Sequence, residues 1–534
     1  MHSPDRTPVQ ARNDQGVDYL MLSDIHLGSD IVTHLRPWAA TSWLLREADV
    51  DRRLVSLLEH YRVERSPGRS WRLIIAGDFL DLVGVSLAPS GDDVFTKPTP
   101  EEERHGLGSA ADHVVHKLHA IAARHPTVFG ALARFLAEGN SLVVVRGNHD
   151  IELHWRSAQC ALVEAIVEHA APELRTAMAS RIEICPWFYA VDGLLYVEHG
   201  HEFDAMCSYG DPLLPVCVKD PKRIRSTPFS VLLRHVARPT RGLSSASYGY
   251  VGMGAYVVLL LQLGLLGTCQ IAVRYSRACY RLVSERFVRA VDGGRRHMQR
   301  AQARFRRFAV HSGVSTARLE ALREIYVAPA VQNLSLILRS LYLDRIASGL
   351  LAMAALAAAL IVGAYTTHTV GALCAIPAAL FAAYALIGSG SNTPPKASMQ
   401  RGAERIAGLF KARWVVMGHT HEPVISQVSA DSRYVNLGSW GTDDPPEEQL
   451  AVHASSCTFL QLRERDGEYQ AHLLHWDLER GPLPTSYESE PRSFAPVPPF
   501  EEPGSRPDTQ VKMPATHATR QVVSSPPSIA RGPS

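Results

Sequence analysis

The chain has 534 residues, of which 46% are hydrophobic and 20% charged, so it is too long for one small domain and too apolar to be wholly disordered. Its 55 Lys and Arg residues nearly balance 53 Asp and Glu residues, which excludes a general polycationic coat for nucleic acid. The charge is unevenly distributed, because residues 219–345 contain 22 basic and 6 acidic residues. Any basic partner surface is therefore predicted in the middle of the chain.

Six short apolar runs, each ending in a polar cluster, predict buried strands. They are VDYLMLSD (17–24), WRLIIAGD (71–78), SLVVVRGN (141–148), GLLYVEHG (193–200), RWVVMGHT (413–420) and RYVNLGSW (433–440). Helical patterns such as residues 111–138 separate the first runs, whereas the last two are close together, as in a β-meander. The predicted fold class is a layered α/β domain.

Composition divides the chain further. Residues 1–16 and 482–534 are rich in Pro, Ser, Thr and charge without periodicity, so we expect disordered tails there. Residues 205–410 do not follow the strand and helix rhythm, and we interpret them as a helical basic insertion. The α/β domain is then predicted in two parts, 17–204 and 411–481.

Two uncharged stretches in the insertion, 242–273 and 346–390, favour contact with a membrane. A bilayer core requires about 20 apolar residues per helix, so 346–390 is long enough for a helical hairpin and 242–273 for one helix. Basic residues flank 242–273 on both sides, which predicts that it dips into the membrane or lies in the interface without crossing. Buried soluble helices are the alternative for both stretches.

Polar clusters that follow five of the predicted strands consist of residue types that bind metals. They are Asp24-Ile25-His26, Gly77-Asp78, Gly147-Asn148-His149-Asp150, His199-Gly200-His201 and Gly418-His419-Thr420-His421. Loops at the carboxyl ends of strands are where α/β sheets place their sites. This ligand set suits Mn, Fe or Zn, and two ions about 3.5–4 Å apart can share a carboxylate and generate a hydroxide. The sequence therefore predicts a dinuclear metal site.

The motifs D-x-H, G-D, G-N-H-D, H and G-H-x-H occur here in full and in order, and in this the chain resembles the calcineurin-like metallophosphoesterase superfamily. The resemblance covers residues 17–204 and 411–440 and implies a β-sandwich flanked by helices. It also implies a ligand set. One metal would be held by Asp24, His26, Asp78 and His421, and the other by Asp78, Asn148, His199 and His419, with Asp78 as the bridge. We expect two divalent ions, with manganese favoured.

The resemblance assigns catalytic roles to the two residues after Asn148. His149 is implied to face the phosphate and to stabilise or protonate the leaving oxygen, while Asp150 orients the His149 ring. Other residues have two interpretations each. His201 contacts phosphate or is a surface or supporting residue, and Asp81 and Asp204 orient ligands or cap helices. Arg146 is interpreted as a solvated charge and excluded from the site.

The position of the insertion constrains topology. His199 and His419 are assigned to one metal, so residues before 205 and after 410 must lie on the same side of any membrane. The start of the chain has no apolar segment that would indicate a secretory signal, and the basic flanks indicate the cytoplasm. We therefore expect a protein of the inner or cytoplasmic membrane, with its catalytic domain in the cytoplasm.

Eleven arginines between residues 274 and 307 are interpreted as a membrane-surface region, in which Arg274, Arg277 and Arg281 share one helical face near anionic headgroups. A solvated face is one alternative. Nucleic-acid binding through the interleaved aromatic residues is another, but we expect no nucleic-acid partner. The oligomeric state is not predicted.

The predicted function is a dinuclear-metal phosphoester hydrolase at the cytoplasmic membrane face, in which a metal-bound hydroxide attacks a phosphodiester, phosphomonoester or pyrophosphate. A lipid or lipid-linked substrate is the specific extension, because the insertion joins the active-site rim at both ends. The chain is distantly similar to the branch typified by UDP-diacylglucosamine hydrolase, which cuts a lipid-linked pyrophosphate but has Arg at the position of His149. The alternatives are a membrane-anchored phosphoesterase of soluble nucleotides or phosphoproteins, and a non-catalytic membrane scaffold.

Overall fold

The computed structural model describes residues 16–31, 40–240, 253–291, 294–340, 395–441 and 457–487, together with positions 343, 354 and 357. The predicted apolar stretch 346–390 lies outside the described residues, except for positions 354 and 357. The expected tails also lie outside them, except for Gly16 and residues 482–487.

Strands in the described part of the chain form two sheets, so the α/β fold class is confirmed. The strands are β1 (Val17–Leu22), β2 (Ser70–Ala76), β3 (Ser141–Val145), β4 (Ile182–Cys185), β5 (Tyr189–Val191), β6 (Leu195–Val197), β7 (Trp414–Met417), β8 (Val424–Gln427), β9 (Arg433–Asn436), β10 (Thr458–Arg465), β11 (Glu468–Asp477) and β12 (Gly481–Pro484). The first sheet has the order β12-β11-β10-β1-β2-β3-β4, and the second β5-β6-β7-β9-β8. Each of the six predicted runs contains one of these strands.

Successive side chains of a strand point to opposite sides, and the central strands β1 and β3 of the first sheet are buried on both faces. In β1, Leu20 and Leu22 join one core cluster, whereas Tyr19 and Met21 join another. The first cluster includes side chains from the helices that cover the outer face. These helices are α1 (Ala40–Val63), α3 (Ala111–Arg124), α4 (Pro126–Ala137), α5 (Arg156–Val167) and α6 (Pro172–Ala179), and the short α2 (Pro100–His105) precedes α3. The second cluster contains apolar side chains of both sheets, which therefore pack face to face.

Two expectations about strands were wrong. The runs at 413–420 and 433–440 do not form a meander, because β7 and β9 are parallel neighbours and the short strand β8 returns the chain between them. The C-terminal tail does not begin at 482. Residues 481–484 form β12, which pairs with β11 through Leu474 and Pro484, among others. Backbone pairing at the sheet edge orders these residues although their composition is typical of a tail.

The insertion is helical where it is described. Its helices are α7 (Pro228–Leu232), α8 (Met253–Val291), α9 (Gly294–Ser312), α10 (Thr316–Ile325), α11 (Leu334–Ser340) and α12 (Pro395–Phe410), and a π-turn (Leu233–Ala237) continues α7. The insertion is joined to the α/β domain by partly buried ion pairs. Arg223 contacts Glu102 at 2.8 Å, and Arg281 pairs with Glu101.

Residues 242–252 of the predicted stretch 242–273 lie outside the described residues. The rest of the stretch, residues 253–273, forms the first half of α8. Gly264 interrupts α8 with φ 65° and ψ −177°, a conformation outside the helical region. Among the helices that the structure describes, none is both long and apolar enough to cross a membrane.

Candidate metal centre

The predicted ligands follow five neighbouring strands of the two sheets. Asp24 and His26 follow β1, Asp78 follows β2, and Asn148 follows β3, and these three strands are parallel neighbours. In the second sheet His199 follows β6, whereas His419 and His421 follow β7, its parallel neighbour. Parallel strands end at the same edge of a sheet, so both sheets deliver their polar loops to one place.

Glycines before these ligands allow the loops to approach closely. A Cβ on Gly147 would collide with the Asp78 carboxylate, and a Cβ on Gly77 would collide with the His199 ring. Gly77 also has a φ of 89°, which side-chain-bearing residues rarely adopt. The glycine in the G-D and G-N-H-D motifs is therefore required by the space that the neighbouring ligand occupies.

The structure brings all seven predicted ligands together around Asp78. The Oδ2 atom of Asp78 lies 3.1 Å from His199 Nε2 and 3.9 Å from His26 Nε2. On one side of it, His421 Nε2 lies 3.1 Å from Asp24 Oδ1. On the other, Asn148 Oδ1 lies 3.0 Å from His199 Nε2 and 3.1 Å from His419 Nδ1. Each predicted set therefore has contacts among its own members, Asp78 contacts a histidine of each set, and His199 also lies 4.0 Å from Asp24 Oδ1 of the other set.

The donors are buried and could hold a metal ion. Ligand atoms of Asp24, Asp78 and His199 lie within 4.8 Å of one another, as do those of Asp24, His26 and His421. Asp24 Oδ1 is buried with imidazole nitrogens at 3.1 Å in His421 and 3.8 Å in His26, and among the described residues no contact to it has the geometry of a hydrogen bond. Buried carboxylate oxygens normally accept hydrogen bonds or bind cations. The ligand set and this oxygen therefore fit a divalent cation.

Backbone conformation also distinguishes the site. Five of the seven predicted ligands have left-handed φ angles, although none is glycine: Asp24 (53°), His26 (55°), Asp78 (53°), His419 (70°) and His421 (58°). Such angles are uncommon for residues with side chains, and each costs about 1–3 kcal/mol. Strained backbone of this kind persists where the surroundings hold it, and it is concentrated at functional sites.

Opposite charges inside the site reinforce one another. Burial alone would raise the pKa of Asp24, but the neighbouring His421 and His199 hold it well below its usual range. Burial likewise opposes the charge of His199, yet Asp78 and Asp24 raise the His199 pKa to about 10. The carboxylates are therefore ionised, which is the state that binds cations, whereas His199 has to release its proton before it can bind one.

The predicted role of Asp150 was wrong. Its carboxylate accepts backbone hydrogen bonds from Gly147 at 2.6 Å and Phe79 at 2.9 Å, so it joins the loops after β2 and β3. The His149 ring is held by Asp81 instead, whose Oδ1 lies 2.7 Å from His149 Nδ1. The prediction came from the family resemblance, whereas in this structure the loop geometry directs the Asp150 carboxylate to backbone N–H groups.

Two residues of the insertion complete the surroundings of His149, and sequence reasoning missed both. Arg238 forms a buried ion pair with Asp81 and donates to the carbonyl oxygen of Ser29 at 2.8 Å. Phe229 packs against the His149 ring with a centroid distance of 5.1 Å. The sequence around Arg238 and Phe229 contains no motif that indicates these contacts. Each contact joins segments about 80 or more residues apart, which become neighbours only when the chain folds.

Contacts in the structure decide between the interpretations of Asp204, Arg146 and His201. Asp204 orients a ligand, because its Oδ2 lies 3.2 Å from His419 Nε2. Arg146 is not a solvated charge: it is 2% exposed and donates to the carbonyl oxygens of Pro186 and Pro212. His201 is not a surface residue either. It is 6% exposed, its ring lies 5.5 Å from that of His199, and burial and the His199 charge hold its pKa well below the usual range.

Comparison with known proteins adds no assignment: neither a scan against protein-family models nor a search of curated proteins finds a match for this sequence.

Proposed function

We propose that the protein is a dinuclear-metal phosphoester hydrolase of the calcineurin-like metallophosphoesterase superfamily. The observation that carries the proposal is that Asp78 Oδ2 lies 3.1 Å from His199 Nε2 and 3.9 Å from His26 Nε2, one histidine of each predicted ligand set. A carboxylate within reach of both sets is what a bridging ligand requires. We favour manganese because the set combines carboxylate, imidazole and amide donors.

The ions, when bound, supply positive charge that polarises a phosphoryl group and activates a water nucleophile. The residues of the chain hold the ions and supply the proton for the leaving oxygen. Asp24, His26 and His421 form one half of the site, and Asn148, His199 and His419 form the other. His149 is our candidate for the proton donor to the leaving oxygen. Asp81 engages its Nδ1, so the proton would be donated through Nε2.

The test is hydrolysis of an aryl phosphodiester by the full chain with Mn²⁺, compared with Asp78→Asn. We expect the wild type to bind two manganese ions per chain and to turn over the substrate, and Asp78→Asn to lose both properties. The control is Asp93→Asn, which alters an exposed carboxylate away from the site. A wild type that binds manganese but cleaves no phosphoester would favour the scaffold alternative, and one that binds no metal would overturn the proposal.

We propose further that the enzyme works at the cytoplasmic face of a membrane and that its substrate is a lipid or lipid-linked phosphoester. The support is the insertion of residues 205–410 between metal ligands, with two of its residues, Arg238 and Phe229, beside the predicted proton donor. Mass spectrometry of a membrane lipid extract incubated with wild type or Asp78→Asn tests the substrate class. Cleavage of the aryl phosphodiester alone would favour soluble nucleotides or phosphoproteins.

A further inference from the structure

One side of α8 between residues 265 and 280 is exposed and mostly apolar. We call this side the α8 outer face. Its exposed residues are Leu265, Leu266, Cys269, Gln270, Ala272, Val273, Ser276, Arg277 and Tyr280. At 100° per residue they share an arc of about 160°. Leu265 is 84% exposed, Leu266 74% and Tyr280 78%, which is unusual for large apolar side chains that lie side by side.

The opposite side of α8 packs against the protein, so the outer face points away from it. Ala278, Cys279 and Leu282 are buried in a cluster with Val231 and Leu232 of α7. Two arginines of α8 also point to the protein. Arg274 donates to the carbonyl oxygen of Pro239 at 2.9 Å, and Arg281 pairs with Glu101. The expectation that Arg274, Arg277 and Arg281 together face headgroups was therefore wrong, and only Arg277 is exposed.

We propose that the α8 outer face docks onto an anionic lipid surface. The apolar residues suit the boundary between headgroups and acyl chains, and Tyr280 and Arg277 lie at the end of the face where amphipathic side chains are favoured. The region carries the complementary charge, with eleven arginines and two acidic residues between 274 and 307. Four of these arginines on α9 are exposed as well: Arg296, Arg300, Arg306 and Arg307.

The neighbouring sequence favours lipid over protein as the occupant. The outer face is the end of a charge-free stretch that runs from Gly242 to Val273, of which residues 242–252 lie outside the described residues. A second copy of this chain would bring the same arginines against each other, so like charges would oppose that contact. An anionic surface has the opposite effect, because each arginine near it is attracted.

The docked helix would also lie close to the predicted proton donor. α7 and the π-turn pack beneath α8, and the same segment supplies Phe229 to the His149 ring and Arg238 to Asp81. This part of the inference rests on the proposed function and deepens it, since it places the site next to a lipid surface. Docking itself requires no catalysis.

The test uses the exposed thiol of Cys269, which lies on the outer face, as the attachment point for the fluorophore nitrobenzoxadiazole. The full chain, with Cys160, Cys217 and Cys374 replaced by Ser, is reconstituted into vesicles of phosphatidylcholine with or without phosphatidylglycerol. Doxyl groups on the acyl chains quench only a label in contact with lipid. We expect at least about twofold stronger quenching in the anionic vesicles. The matched control keeps Cys160, which is exposed on α5, and has Cys217, Cys269 and Cys374 replaced by Ser; a label on its Cys160 should not be quenched.

Variants separate the apolar and the charged contribution. Leu265→Asp combined with Leu266→Asp should abolish quenching at Cys269, whereas Arg277→Glu should remove its dependence on phosphatidylglycerol. Val63→Asp, which changes a residue 72% exposed on α1, should leave the quenching at Cys269 unchanged.

A Cys269 label that is shielded from water but not quenched by doxyl lipid would show that protein covers the face and would overturn the proposal. So would absent quenching in vesicles that retain the protein. Neither result depends on metal binding or activity, so the proposed function would be unaffected.

Discussion

Asp81 holds His149 through a 2.7 Å contact between its Oδ1 and the Nδ1 of the ring, and Arg238 engages the other oxygen of the same carboxylate. The three residues form a buried row that begins in the insertion and ends at the predicted proton donor. Since a carboxylate on Nδ1 fixes both the orientation and the tautomer of an imidazole, the row determines which nitrogen faces the substrate.

We expect Asp81→Asn to lower kcat by about 10- to 100-fold while the chain still binds two manganese ions, because the carboxylate contacts the His149 ring and is not one of the seven predicted ligands. Steady-state hydrolysis of an aryl phosphodiester and metal analysis of the same sample check this. The matched control is Asp93→Asn, which alters a surface pair of the same kind, Asp93 Oδ1 to His116 Nδ1 at 2.7 Å. Loss of manganese in Asp81→Asn would contradict the assigned role.

Asp150→Asn should affect stability first. The carboxylate accepts two buried backbone hydrogen bonds, and an amide has only one oxygen to offer, so one N–H group loses its partner at about 1–3 kcal/mol. Urea unfolding monitored by tryptophan fluorescence measures the change, with the exposed Asp192→Asn as control. Unchanged stability together with a large fall in kcat would restore the orienting role that the sequence suggested.

Single histidine replacements should remove the two ions separately. His421 is grouped with Asp24 and His26, whereas His419 is grouped with Asn148 and His199, so His421→Ala and His419→Ala should each bind one manganese ion per chain. Asp78→Asn should lower the affinity of both positions. Equilibrium dialysis followed by elemental analysis gives the stoichiometry, and His472→Ala, exposed on β11, is the control. Two ions bound by each single variant would disprove this division of ligands.

Lys117 gives the fold a dependence on pH. It is fully buried on α3 and donates to the carbonyl oxygen of Leu82 at 2.8 Å. Burial, reinforced by the charge of Arg234, lowers its pKa from 10.5 to about 7. Between these values the unfolded chain binds a proton that the native chain releases, so stability rises with pH by up to about 1.4 kcal/mol per unit.

The comparison with Lys117→Met isolates this contribution. The stability of the wild type relative to the variant should increase from about pH 7 to pH 10, and should not change further above that range. Urea unfolding at several pH values checks the slope, with the exposed Lys222→Met as a control that should show none. A constant difference across the range would mean that Lys117 titrates normally.

The sequence predicts the parts of the fold whose signal is local. Continuous apolar runs followed by Gly, Asp, Asn and His were sufficient for six strands and for the seven polar residues that the structure brings together. β10 and β11 were missed because they alternate, with Gln461 and Arg463 between apolar residues, and so do not form a continuous apolar run. Asp150 was misassigned for a related reason. Which carboxylate reaches a ring depends on how two loops pack, and spacing along the chain does not contain that information.

Pairing between Tyr19 of β1 and Leu462 of β10 has a consequence for synthesis. The first sheet needs its last three strands from the far end of the chain, and the metal ligands of β7 emerge from the ribosome only after the whole insertion. Contacts between such distant segments form late in folding. The insertion is therefore translated before His419 and His421 are synthesised, so we expect the proposed metal centre to form only after the whole insertion is complete.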